Sequence, residues 1–597
     1  DGKEVVFKNI DKKTFQHKLK QTDLEGQIYQ HIYEELSREE TRKNIKREFP
    51  KASIHRRNTG YAVDYLIDNQ PFSESGDEFN FCKLLCGSEG TLAFTTEIKL
   101  HIDSLPDPYE VVIAPHFTTI RASMEATQVA MQHRPAKCEL MDKVILDCTK
   151  ESIEYSKNRY FIEGDPQGVL LIELRGKTAA EAEQKADALI ADLQSKKLGY
   201  AFPKIHSPNI KGVWSLRSAG LGLLANIPGD KKAVACIEDT AVALEDLPDY
   251  IDDFAEMMNG FGQRSVYYAH AGAGEIHLRP ILDLKKAADV EDFYKISEAS
   301  AKLVKKYQGS LSGEHGDGRV RAAFIPLMVG KENYALFQRI KAIWDPYHIF
   351  NPGKIVDAEP MNTSLRYEPE QPTVEPDTIL DFSSAGGLLR MAEKCNGSGD
   401  CRKLAGSGVM CPSYQATRNE RDTTRGRANV LREFLTRGDS FSELVTPSDQ
   451  LTKTNNPDRF NHTEIKEVMD LCISCKGCTS ECPSNVDMAS MKAEFLYQYQ
   501  QVNGVPLRSK AFARINDLNK IGSFVPALTN FLLSNSLTSS ILKKLLKVAP
   551  QRNLPTLQKQ SLRSWYKRFT KLSKFRKFNP PISKVYLFCD EFTNYND

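Results

Sequence analysis

Seven of the thirteen cysteines fall within 88 residues: Cys395, Cys401, Cys411, Cys472, Cys475, Cys478 and Cys482. The run Cys472-x2-Cys475-x2-Cys478-x3-Cys482-Pro483 has the bacterial ferredoxin spacing for a [4Fe–4S] cluster, in which three close thiolates wrap one cluster and the fourth reaches another. Zinc sites favour paired CxxC spacings, so a zinc knuckle fits less well. The upstream set Cys395-x5-Cys401-x9-Cys411-Pro412 is a degraded copy of the same pattern. With Cys411 completing the cluster of Cys472, Cys475 and Cys478, the remaining Cys395, Cys401 and Cys482 leave a second cluster one ligand short. The motif therefore predicts one [4Fe–4S] cluster and leaves a second open. Such clusters mostly carry single electrons; a purely structural cluster is the alternative.

A second constellation draws on few histidines, the chain having only twelve. In Tyr267-Tyr268-Ala269-His270-Ala271-Gly272-Ala273-Gly274-Glu275-Ile276-His277, His270 ends an apolar strand, a glycine-rich turn follows, and His277 starts the return strand. The two imidazoles can meet at one mouth of a sheet. Glu314, in the glycine-rich loop Ser312-Gly313-Glu314-His315-Gly316-Asp317-Gly318, would complete a His2Glu set with a coordination position left for substrate. His315 beside it reads as a base rather than a ligand. Ordinary turn histidines and a zinc hydrolase are the rival readings, although the zincin HExxH pattern is missing.

These residues need elements to carry them. The chain has 597 residues, 41% hydrophobic and 26% charged, which suggests about four domains at roughly 150 residues each. No window approaches the ~18 uncharged apolar residues of a spanning helix. Clustered cysteines in a long chain without a visible signal segment speak for metal rather than disulfides. Thr91 to Leu100 reads as a strand, as do Val111-Val112-Ile113-Ala114 and Val169 to Leu174; Ala179 to Leu193 reads as an amphipathic helix. This mixture predicts an α+β or α/β domain, with α+β the expected class. A stretch rich in Pro and Glu, from Glu359 to Pro376, reads as linker. Between Val502 and Lys584 there are 17 Lys/Arg against one acid, Asp517, although the whole chain carries only +2. Within it, Leu562 to Phe578 interleaves Lys/Arg with Trp565, Tyr566, Phe569, Leu572, Phe575 and Phe578, as in a helix lying on an anionic membrane or packing on another domain. Nucleic acid is a poor third partner. Val585 to Cys589 reads as a first strand of a further domain. Because the chain starts at Asp1 and stops soon after that strand, it reads as a fragment of a longer polypeptide.

Four stretches resemble the FAD-linked D-2-hydroxyacid dehydrogenases of the vanillyl-alcohol-oxidase fold. Asn58-Thr59-Gly60-Tyr61 and Gly87-Ser88-Glu89-Gly90 resemble the family's flavin-contacting segments. His270…His277 with Glu314-His315-Gly316 resembles its metal and base motifs, and Phe350-Asn351-Pro352-Gly353-Lys354 its return to the flavin domain. The join to an iron–sulfur module resembles the large fused bacterial enzymes similar to D-2-hydroxyglutarate and D-lactate dehydrogenases. The resemblance implies FAD contacts at Asn58, Thr59, Gly60, Gly87, Ser88, Glu89, Gly90 and Asn351. It also implies a divalent metal, Zn in the family, on His270, His277 and Glu314, a base at His315, and a carboxylate-binding Arg217. Arg279, two residues beyond His277 on the same strand face, suggests a second carboxylate and hence D-2-hydroxyglutarate over D-lactate. Arg319 and Arg321 are alternatives for that role or for flavin phosphate. A non-catalytic electron-transfer subunit is the remaining reading.

The expected organisation is the C-terminal part of an FAD domain (1–105), a substrate or cap domain (106–355), a linker (356–394), a helical ferredoxin-type iron–sulfur domain (395–500), a basic helical region (501–580) and the start of a cysteine-rich domain (581–597). The family's pyrophosphate-binding half has no counterpart in these residues, which leaves FAD binding by this chain alone open. The expected setting is cytoplasmic, with a peripheral membrane contact or a homo-oligomer compatible, and with a quinone or redox protein as electron acceptor.

Overall fold

A computed structural model describes residues 2–150, 155–224, 227, 229–371, 375–406, 408–437, 457–572 and 586–597. The chain divides into two units, residues 1–448 with 468–491, and residues 449–467 with 492–597.

An antiparallel sheet forms the centre of the first unit. Its strands are β1 (Tyr109–Ile113), β2 (His116–Phe117), β3 (Lys137–Asp142), β4 (Gly168–Gly176), β5 (Lys204–Ile205), β6 (Lys232–Ala233), β7 (Ile237–Ala241), β8 (Ser265–Ala269) and β9 (Glu275–Leu282). They run β5-β1-β4-β3-β8-β9-β6, with β2 also on β4 and β7 also on β9. Side chains alternate between faces along each strand. Leu170, Ile172 and Leu174 of β4 join Leu140, Ile276 and Leu278 in one apolar layer. Val169 and Leu171 join Met141, Val266 and Tyr268 in the other, which the helix Ile210–Leu224 covers through Val213 and Leu216. Burial on both sides explains why β4 reads as a continuous apolar run.

That parity positions the chemistry. Leu140 pairs with Ala269 and Tyr268 with His277, so Glu139, His270, His277 and Arg279 share the second face. The register between β7 and β9 shifts between Ile237 and Thr240, and Asp239 there takes a left-handed φ of 78°. A bulge re-aims side chains, and here it turns Glu238 and Asp239 toward the Glu314 loop.

Short helices lie between Lys12 and Leu85, and aromatic side chains of the segments beside them pack on the helix Ile325–Trp344, Phe7 and Phe81 meeting Trp344 and Tyr61 meeting Phe337. The strand expected over Thr91–Leu100 is not formed. Phe94, Ile98 and Leu100 are 80%, 70% and 77% exposed. The alternating pattern is present, but among the described residues no neighbouring strand supplies its hydrogen bonds, and a lone strand is not stable. The stretch read as linker contains a helix, Leu388–Glu393, and is tied down by Arg390 on Asp230 (2.8 Å) and Lys285 on Glu393 (2.9 Å).

In the second unit short helices follow one another: Leu507–Ala513, Ile515–Gly522, Pro526–Ser534, Ser536–Leu545 and Leu562–Leu572. Trp565 stacks on Phe569 at 5.1 Å on the last of these; Phe575 and Phe578 lie outside the described residues. The strand expected at Val585–Cys589 is also absent over its described part, 586–589, where Tyr586, Leu587 and Phe588 are exposed and a short helix, Glu591–Tyr595, follows. No helix among the described residues is long and apolar enough to cross a membrane.

Candidate functional site

The hairpin β8–β9 brings His270 and His277 together, with ring centroids 5.3 Å apart, and His315 stands 5.0 Å from His277. Glu314 Oε1 lies 3.2 Å from His270 Nε2 and 3.5 Å from His315 Nε2. All four residues predicted for the metal and base therefore converge. Asp239 holds the loop that carries two of them. Its carboxylate accepts from Ser312 Oγ (2.7 Å) and from the Glu314 and His315 N–H groups (2.9 Å each).

Three further carboxylates belong to this site, none of them singled out by the sequence. Glu139 accepts from His270 Nδ1 at 3.0 Å through Oε1 and from Arg217 Nη2 at 2.6 Å through Oε2. The bond to Glu139 raises the His270 pKa, while burial lifts the Glu139 carboxyl less than His270 and Arg217 lower it. Glu238 forms an ion pair with Arg279, and its Oε1 lies 3.4 Å from His315 Nδ1. Glu275 is fully buried beside His277; burial and the neighbouring Asp239 push its pKa up to about 8. Burial likewise lowers the His277 pKa to about 4, which keeps its imidazole neutral and fit to coordinate.

Arg217 and Arg279 both reach this face. The Arg217 guanidinium also stacks 4.2 Å over the Tyr268 ring. Arg321, by contrast, is spent on the Gly316 and Glu238 carbonyls (3.1 and 2.8 Å), and Arg319 faces Glu359 at 3.6 Å, so neither points to a substrate.

The segments read as flavin contacts adjoin the same loop. Asn58 N–H donates to Ser312 O (2.7 Å), Gly60 N–H to Asp317 (2.6 Å), and Glu89 accepts from the Asp317 N–H (2.6 Å). Asn351 Nδ2 donates to Glu89 O (2.7 Å). Thr59 Oγ1 accepts the Ser312 N–H (3.0 Å), Ser88 donates to Leu85 O, and Gly87 packs on the Asn58 amide. A Cβ at Gly90 would meet nothing within 4 Å, so that turn presents an open backbone surface. These residues fit one wall of a flavin site next to the histidines. Arg56, which the sequence did not flag, enters from the same segment and pairs with both Glu275 and Glu314.

Elsewhere in the first unit Cys411, Cys472, Cys475 and Cys478 line one pocket with Met410 and Arg427. The backbone N–H groups of Met488 and Ala489 point at the Cys478 sulfur, and burial pushes that thiol up to about 11. Four thiols converging with N–H donors aimed at sulfur is a donor set suited to a cluster. Cys395 lies near enough to Cys401 and to Cys482 for its charge to raise the pKa of both, so the remaining three gather as a second group.

Residues 107–355 match the family described as FAD linked oxidases, C-terminal domain, and residues 394–487 match the 4Fe-4S dicluster domain. The chain joins an FAD-linked oxidase C-terminal domain to an iron–sulfur domain. The α+β and helical halves expected from the sequence thus correspond to two recognised families. Among relatives, a D-2-hydroxyglutarate dehydrogenase of Pseudomonas putida is 30% identical over 83% of this chain and 51% of its own length. Another of that name from Escherichia coli is 28% identical over 96% of this chain and 58% of its own. A mitochondrial D-lactate dehydrogenase [cytochrome] of Arabidopsis thaliana is 26% identical over 47% and 48%. The chain spans about half the length of these curated relatives. Within its FAD-linked oxidase domain, the histidine hairpin and the Glu314 loop both fall inside the matched residues.

Proposed function

We propose that this chain forms the substrate-binding and electron-exit parts of a dehydrogenase that oxidises a D-2-hydroxyacid, D-2-hydroxyglutarate in the first place, to the 2-oxoacid. The observation that carries the reading is the convergence of His270, His277 and Glu314 on one sheet face, with His315 beside them and the Asn58 and Gly87–Gly90 segments adjoining.

His270, His277 and Glu314 would hold a divalent cation, which supplies Lewis-acid polarisation of a bound hydroxyl. The Asn58–Gly60, Gly87–Gly90 and Asn351 surface would hold FAD, which would supply the hydride acceptor. His315 has the geometry of the base. Glu238 engages its Nδ1, which leaves Nε2 facing Glu314 and free to take the hydroxyl proton. Arg217 and Arg279 supply guanidinium charge for carboxylates, each anchored by its own glutamate. Arg279 Nε is buried without a hydrogen-bond partner among the described residues and remains available as a donor. Two such arginines suit a dicarboxylate better than lactate, in keeping with the names of the two longer relatives. Cys411, Cys472, Cys475 and Cys478 would hold a cluster, which would supply single-electron transfer, and Cys395, Cys401 and Cys482 would contribute to a second.

Anaerobic titration of the full-length, FAD-loaded protein tests this. D-2-hydroxyglutarate should bleach the flavin and cluster absorbance at lower concentration than D-lactate, and the L-enantiomers should do nothing. Flavin that stays oxidised with every hydroxyacid would leave an electron-transfer subunit as the surviving reading.

A further inference from the structure

Among the described residues two buried atoms at the histidine hairpin have no hydrogen-bond partner, Glu275 Oε1 and His277 Nε2, and they lie 3.4 Å apart. Buried polar groups are almost always satisfied, so a facing pair of this kind points to something that binds both. We propose that Glu275 is a fourth protein ligand of the metal site, making a two-histidine, two-carboxylate centre that favours a six-coordinate cation such as Mn2+ or Fe2+ over Zn2+. This rests on the reading above, in which His270, His277 and Glu314 hold a divalent ion.

Arg56 sets up the arrangement. Its guanidinium engages the Oε2 atoms of both Glu275 (3.1 Å) and Glu314, which leaves both Oε1 atoms directed at imidazole nitrogens. Glu314 Oε1 is 3.2 Å from His270 Nε2, as Glu275 Oε1 is 3.4 Å from His277 Nε2. Glu139 occupies His270 Nδ1 and so fixes Nε2 as the ligating atom. The four ligand atoms all lie within 4.8 Å of one another. At 3.2–3.4 Å each carboxylate–imidazole pair is near enough to close on one cation with bonds of about 2.0–2.2 Å. Gly313 is part of the construction, since a Cβ there would come within 2.7 Å of Glu275 Oε2. Asp239 is close enough to compete but has both oxygens committed to the Glu314 loop.

The ligand count decides the metal. Four protein ligands close a tetrahedral zinc site and leave nowhere for a hydroxyacid. An octahedral ion keeps two positions, enough for a hydroxyl and a carboxylate oxygen, and a second carboxylate shifts the donor set toward oxygen-favouring ions.

The test is metal binding to full-length protein stripped with a chelator, with Mn2+ followed by the EPR signal of the free ion and Zn2+ by competition with a chromogenic chelator. Glu275→Gln should weaken Mn2+ at least tenfold and Zn2+ less, so that the Mn2+/Zn2+ affinity ratio falls. Glu275→Asp, which keeps the carboxylate, should recover part of the Mn2+ affinity. Unchanged Mn2+ affinity in Glu275→Gln, with loss in Glu314→Gln, overturns the role of Glu275 alone. Equal loss of both ions overturns the selectivity. Metal binding that Glu314→Gln does not disturb overturns the underlying site.

Discussion

Glu139→Gln probes the joint between the sheet and the proposed metal site. The carboxylate serves two donors at once, His270 Nδ1 at 3.0 Å and Arg217 Nη2 at 2.6 Å, and all three side chains are at least three-quarters buried. A hydrogen bond to a charged group contributes ~1.5–3 kcal/mol and a neutral one ~0.5–1.5, so neutralising this acceptor for two donors should cost about 2–3 kcal/mol. The two halves separate by pH. His270 has a folded pKa raised above its ordinary 6.5, so its share is fully present below 6.5 and is lost as pH rises through the folded value. The share that comes from the Arg217 guanidinium bond persists. Urea unfolding of wild type and variant, without added metal, should therefore show the larger gap at acid pH and a smaller one at alkaline pH. Because Glu139 also fixes which imidazole nitrogen faces inward, the variant should bind metal about 10–100-fold more weakly. Equal stability at all pH, or a stability loss with metal affinity untouched, would refute the orienting role.

Arg427 is fully buried at the cysteine pocket, with Nη1 3.7 Å from Cys411 Sγ, so Arg427→Gln should make the cluster harder to reduce. A tenfold loss in electron affinity corresponds to about 59 mV, readable by redox titration with EPR, and Arg427→Lys should restore part of it. Asp142, buried and pushed up to about 7, keeps its proton in the folded state while the unfolded chain ionises near 3.8, so stability should fall across that interval as pH rises. Asp142→Asn should flatten this slope in denaturant titrations at several pH values. Gly60 has φ 68°, and a Cβ there would lie 2.3 Å from the Phe337 ring, so Gly60→Ala should lower thermal stability by about 2–4 kcal/mol and reduce flavin retention.

The parts of the site written locally were legible. His270 and His277 flank a glycine turn whose hairpin follows from sequence, and strand parity correctly put Arg279 on the face of His277. Cysteine spacing allowed Cys411 to join Cys472, Cys475 and Cys478, and the four line one pocket. The carboxylates Glu139, Glu238, Asp239 and Glu275 were not legible, because their roles come from the β3–β8 register, from a bulge in β7 and from burial. Arg56 reaches Glu314 across 258 residues of sequence, a pairing no spacing rule conveys. The strand pattern at Thr91–Leu100 was real as a pattern and failed as a structure, since strand formation depends on neighbours as much as on the residues themselves.

That separation of 258 residues between Arg56 and Glu314 also sets a timetable. On a ribosome adding ~5–20 residues each second, Arg56 waits roughly 13–50 s before its partner is synthesised. Helices near the start can form within microseconds, but the side chains proposed to hold the cation meet only after the central sheet has been paired through β9 and the loop beyond it has emerged. Contacts of such long range slow folding, so binding of an ion at the proposed site would follow the pairing of the sheet rather than the formation of the early helices. Metal uptake in a refolding experiment should accordingly lag behind the recovery of helical signal.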